Sequence, residues 1–175
     1  MSITLNTPIT RDVAKSLKSG DRVLISGTIY TARDAAHKRL IESIEKGETL
    51  PVDIENIAIY YAGPSPAKPG QVIGSCGPTT SGRMDAYAPT LISLGQTVMI
   101  GKGERSDSVV EAMKKNGAVY LAAIGGAGAL ISKCITDADV IAYDDLGAEA
   151  IRRLAVKDFP AIVVIDSKGN NLYKR

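Results

Sequence analysis

Residues 74–85 read Gly74-Ser-Cys-Gly-Pro-Thr-Thr-Ser-Gly-Arg-Met-Asp85. Glycine and proline flank small hydroxyl and thiol side chains, a composition that lets backbone and ligand approach closely and leaves hydroxyls within reach of what binds. Upstream, Gln71 to Ser75 reads as a strand. Downstream, Met84, Tyr87, Leu91 and Leu94 mark the apolar stripe of a helix over residues 84–94. A strand feeding a helix through a Gly-rich loop belongs to an α/β sheet, and free N–H groups at such a helix start suit an anion. Arg83 adds a guanidinium able to grip a carboxylate with two parallel hydrogen bonds. An ordinary strand-to-helix turn, its Gly and Pro serving geometry alone, accounts for the same composition.

On the N-terminal side of this loop lie a strand from Asn56 to Ala62 and a segment with three prolines, Gly63-Pro-Ser-Pro-Ala-Lys-Pro-Gly70. Further back, residues 1–10 read as extended, and Thr10 caps a short helix over residues 11–18 that closes at Gly20. Arg22 to Tyr30 is a strand apolar enough to be buried on at least one face. It leads into Thr31-Ala-Arg-Asp34, where Thr31 as N-cap and Asp34 three residues later approximate a capping box for a helix running to Gly47. Arg33 then sits in a first turn, where its charge opposes the helix dipole unless an anion lies nearby; a solvated surface arginine is the plainer reading. His37, the single histidine, reads as a packed or solvated residue, with no second ligand at i+4 to make a metal site.

On the C-terminal side, Thr97 to Ile100 is a short strand ending in Gly101-Lys102-Gly103, which puts a lysine where α/β sheets place ligands. Ser106 or Asp107 caps a helix to Asn116-Gly117, and Ala118 to Ile124 is a buried strand. Gly125-Gly-Ala-Gly-Ala129 opens a helix toward Cys134; its spacing is too loose for a dinucleotide turn, and close packing of helix on strand explains it. Val140 to Tyr143 reads as a strand, Leu146 to Leu154 as a helix and Ile162 to Asp166 as a strand. Asp166 to Asn170 then turns into a final strand over residues 171–174. Asp144 and Asp145 read as solvated loop acids. The whole is a single α/β domain, residues 1–175, with a mixed central sheet flanked by helices.

With 21 Lys plus Arg against 19 acidic residues, interspersed, the chain has no field suited to nucleic acid or a membrane surface. No apolar run approaches the ~20 residues that span a bilayer, and the first residues lack the pattern of a secretory signal, so a cytoplasmic location is expected. The two cysteines, Cys76 and Cys134, are too few to hold an iron–sulfur cluster alone, and no metal site is expected. Arg33, Arg83 and Lys102 each stand on a strand-end or helix-start turn. Two arginines and a lysine suit a small ligand with two carboxylates.

Five motifs in order then carry a resemblance: Ser26-Gly-Thr-Ile-Tyr-Thr-Ala-Arg-Asp-Ala-Ala-His-Lys-Arg39, Gly77-Pro-Thr-Thr-Ser-Gly-Arg-Met-Asp85, Ile100-Gly-Lys-Gly103, Gly125-Gly-Ala-Gly-Ala-Leu130 and Asp158-Phe-Pro-Ala161. From residue 3 to residue 173 the chain resembles the β subunit of class I, iron–sulfur-dependent fumarate hydratases and L-tartrate dehydratases. The resemblance implies a swivelling β/β/α fold and an α-subunit partner that holds a [4Fe–4S] cluster, in a β homodimer or an α2β2 assembly. It implies Thr79 as catalytic base and Arg33, Arg83 and Lys102 as ligands of the substrate carboxylates. The expected activity is reversible hydration of fumarate to (S)-malate. L(+)-tartrate dehydration, or a non-catalytic binding module of the same fold, is the alternative.

Overall fold

A computed structural model describes residues 1–124 and 128–174. In chain order the elements are β1 (Ser2–Asn6), α1 (Arg11–Ser16), β2 (Arg22–Thr31), α2 (Asp34–Glu45), β3 (Ala58–Tyr60), α3 (Ala88–Ser93), β4 (Val98–Gly101), α4 (Asp107–Asn116), β5 (Val119–Ala123), α5 (Gly128–Ser132), β6 (Ile135–Ala142) and β7 (Ile151–Ile165). Short 3₁₀ turns occupy Ser81–Met84, Asp144–Glu149 and Leu172–Lys174.

Strands β1 to β5 run parallel in sequence order. The long β7 is antiparallel to β5 at one end and to β2 along most of its length, so the mixed sheet closes into a barrel-like ring, with β6 added to the free half of β7. Closure explains the nearly continuous apolar runs of β3 to β5, which are covered on both faces, whereas β2 alternates buried and partly exposed positions; successive side chains go to opposite sides. Val23, Ile25, Tyr60, Val98, Ile100 and Phe159 fill one apolar layer. Their neighbours Ile59, Tyr61, Met99 and Tyr120 fill the other, against Leu40 of α2, Leu91 of α3 and Met113 of α4.

The expected mixed α/β sheet is present, and several elements differ from the sequence reading. Thr31 is not a helix cap: it ends β2, and its hydroxyl accepts the Arg152 N–H at 3.2 Å. Arg33 holds the N-cap position of α2 without a capping side chain, and Glu149, from far along the chain, accepts the Ala35 N–H instead. Residues 71–75 form no strand, because the proline-rich segment runs alongside with Ser65 donating to the Ser75 carbonyl. The expected helix over 84–94 is a 3₁₀ turn followed by α3, which starts only where Pro89 can occupy its first turn. The expected helix over 146–154 is instead a 3₁₀ turn and the start of β7. Pairing with β2 on one edge and β6 on the other overrides the local helical preference of Arg152-Arg-Leu-Ala155. Leu172–Lys174 is a 3₁₀ turn rather than a strand. Most of the glycine run at 125–127 lies outside the described residues; Gly128 packs on the central loop, its carbonyl accepting the Cys76 N–H. No helix among the described residues is long and apolar enough to cross a membrane.

Candidate active site

The parallel strands β2, β3 and β4 end on the same side of the sheet, where crevices of α/β folds take ligands. Two residues past β2, Arg33 stands in extended backbone (φ −118, ψ −161) before α2 begins. Past β3, the Tyr61 carbonyl accepts the Thr79 N–H at 2.7 Å, which fixes the central loop against the strand end. Past β4, Lys102 pairs with Thr80 in an isolated parallel bridge, and its carbonyl accepts the Ser81 N–H at 2.9 Å. Thr79, Thr80 and Lys102 are therefore neighbours through backbone pairing alone.

Arg83 is half-exposed, and its Nε donates to Asp34 Oδ2 at 2.9 Å. Asp34 is the residue after Arg33, so both arginines gather at the head of α2. Gly63 makes room there: a Cβ at this position would sit 2.7 Å from Arg33 Nη1. Arg33 Nε, Asp34 Oδ1 and His37 Nε2, all within the first turn at this helix head, are buried without a hydrogen-bond partner among the described residues. Buried polar groups rarely stay unpaired, and of the three the Arg33 Nε–H is the donor that an anionic partner could meet. The helix-start anion site expected at residue 84 is absent, because the loop enters a 3₁₀ turn.

Beneath the loops lies a buried knot that the sequence reading missed. Arg105 is 3% exposed and donates from Nε to Asp85 Oδ1 at 2.7 Å and from Nη2 to the Tyr61 hydroxyl at 3.3 Å. Its guanidinium lies over the rings of Tyr61 and Tyr120, 5.2 and 4.9 Å from their centroids. The other Asp85 oxygen accepts the Ser106 N–H, and the Tyr120 hydroxyl contacts Ser81 Oγ at 2.7 Å and the Gly103 carbonyl at 2.8 Å. This knot ties the loop of Thr79 and Arg83 to the loop of Lys102. Gly101 permits the approach, since a Cβ there would strike Ser81 Oγ and the Tyr61 ring. An Arg two residues after a Gly-Lys-Gly turn carries no sequence signal of its own; only its burial reveals it.

Asp145 makes a two-pronged surface pair with Arg39 at 2.8 and 2.9 Å, and Asp144 is exposed. Among the described residues no group of three or more His, Cys, Asp or Glu side chains could hold a metal ion. Cys76 is buried, with burial pushing its thiol up to about 12, and burial also raises the half-buried Cys134. Two thiols are fewer than the three or four thiolates that an iron–sulfur cluster takes.

The family model for the fumarase C-terminus matches residues 1–175. Fumarate hydratase 2 of Leishmania major is 40% identical over 179 residues, which are 100% of this chain and 32% of that protein. The aerobic class I fumarate hydratase of Escherichia coli is 40% identical over 177 residues, 99% of this chain and 32% of that protein. A protein of Methanocaldococcus jannaschii named "Putative L(+)-tartrate dehydratase subunit beta" is 41% identical over 180 residues, 99% of this chain and 92% of that protein. The chain thus spans about a third of the length of the fumarate hydratases it matches. A full-length match to the family model, joined to relatives at this identity, places the chain in the fumarase C-terminus family.

Proposed function

We propose that this chain is the β subunit of a class I hydro-lyase and holds a small dicarboxylate for reversible hydration of fumarate to (S)-malate. Arg33, Arg83 and Lys102 bind the carboxylates and Thr79 is the base. The observation that carries the reading is the gathering of Arg33 and Arg83 at Asp34, on the sheet end where Thr79 and Lys102 also stand. In this reading a [4Fe–4S] cluster belongs to an α subunit, since the thiols of this chain do not fit one. The swivelling β/β/α arrangement and a cytoplasmic location belong to the same proposal; the apolar layer covered by α2, α3 and α4 supports the former.

Removing a proton α to a carboxylate places a second negative charge on that carboxylate. Fixed cations against it stabilise the dianion, and losing one such contact costs about 10²–10³ in kcat in comparable sites. A threonine hydroxyl is a weak base at neutral pH. The charges of Arg83 and Lys102 favour its alkoxide, the same electrostatic effect that lowers any acid's pKa beside a cation. Coverage of 92% of a relative named as a tartrate dehydratase subunit favours L(+)-tartrate as a second substrate reading.

Co-expression with an α subunit and anaerobic assay against fumarate, malate and tartrate tests the proposal. The complex is expected to turn over one of these acids, this chain alone none, and Arg83→Ala or Lys102→Ala to cut kcat/KM by about 10²-fold or more. Full turnover by either variant would sink the assignment.

A further inference from the structure

His37 is fully buried, and three segments of the candidate site meet around it. Its backbone N–H and its ring Nδ1 both lie on the Arg33 carbonyl oxygen, at 2.9 and 2.8 Å. A carbonyl oxygen only accepts, so Nδ1 carries the proton and the ring is a neutral Nδ1–H tautomer with its lone pair at Nε2. Burial agrees, lowering the ring's pKa to about 4. The ring lies edge-on to Tyr61 at 5.4 Å and stacks on Tyr87 at 6.2 Å. Tyr61 holds the Thr79 N–H through its carbonyl, and the Tyr87 N–H donates to the carbonyl of Met84, the residue after Arg83.

We propose that His37 is a positioning residue of the carboxylate site, fixing the Arg33 carbonyl through its Nδ1–H and seating that turn against the Tyr61 and Tyr87 segments that carry Thr79 and Arg83. The inference rests on the dicarboxylate reading above. His37 acts through Arg33 and reaches the substrate only by way of it. The donor is what separates this role from mere filling of space: an apolar side chain of similar volume packs but leaves the turn before α2 held by one hydrogen bond instead of two.

The test compares His37→Leu, which fills the site without a donor, with His37→Asn, whose amide N–H falls where Nδ1 does. In the reconstituted complex, His37→Leu is expected to raise KM for the acid used by about tenfold, with a smaller change in kcat, and His37→Asn to return it to within about threefold. Thermal melting is expected to rank the two variants the other way, since Leu packs better in apolar surroundings. A wild-type KM in His37→Leu, or an Asn variant no better than Leu, overturns the proposal. Long-range ¹H–¹⁵N correlation on the labelled chain is expected to give a protonated Nδ1 and an unprotonated Nε2; the opposite tautomer also overturns it. Should the wild-type complex turn over none of the three acids, the hydro-lyase reading fails, and the tautomer still decides whether His37 holds Arg33.

Discussion

The His37 ring has an ordinary pKa of 6.5 in an unfolded chain and about 4 in the folded protein, because burial penalises the charged form. Between those values the unfolded chain binds more protons than the native one, so stability rises with pH through the window and falls as the medium is acidified. Full burial of the ring makes this one group worth about 2 kcal/mol between pH 7 and pH 5. The urea midpoint is expected to drop accordingly, and His37→Leu to flatten that part of the profile; an unchanged wild-type midpoint would show that the ring is not held neutral. Asp166 loses its contribution in a separate, lower window. Its burial is outweighed by hydrogen bonds from the Asn170 side chain and from the N–H groups of Ser19, Asn170 and Lys168, which hold its carboxylate below the ordinary 3.8. Among single residues, the cations on turns were visible in the sequence. Asp34, which meets Arg83, reads there only as a helix-start acid, since nothing local says what a carboxylate will face.

Between elements, the buried contact of Arg105 with Asp85 joins the loop before α3 to the loop before α4. Its side chains are 0% and 17% exposed. Asp85→Ala leaves a guanidinium buried without its carboxylate and is expected to cost about 3–5 kcal/mol. Asp107→Ala removes the exposed pair with Lys174 and is expected to cost under about 1 kcal/mol. Denaturant midpoints of the two variants measure the contrast; equal losses would show that the knot does not hold the loops. Strands β2 to β5 and helices α2 and α4 were legible from apolar runs and end signals. The start of β7 was not, because Ile151, Leu154 and Val156 stand three and two positions apart, a spacing that marks no strand until β2 and β6 supply the two edges.

Over the molecule as a whole, ring closure by β7 makes an enclosed apolar layer in which Phe159 is wholly buried and meets Tyr60 edge-on at 5.2 Å. Phe159→Ala opens a cavity that the closed sheet cannot easily fill, and a loss of about 3–5 kcal/mol is expected. Leu94→Ala, at a side chain 45% exposed, is expected to change stability by less than about 1 kcal/mol. Chemical denaturation followed by circular dichroism compares them; a mild effect at Phe159 would mean that the ring yields around the void. By itself the sequence determined the α/β class, the positions of most parallel strands and the turns that carry Arg33, Thr79, Arg83 and Lys102, because apolar spacing and turn residues act over a few neighbours. Only the tertiary structure decided that the sheet closes through β7, that Asp34 meets Arg83 across 49 positions of chain, and that Arg105 and His37 are buried beneath the site. Those outcomes depend on contacts between distant segments, and no local pattern encodes which segments will meet.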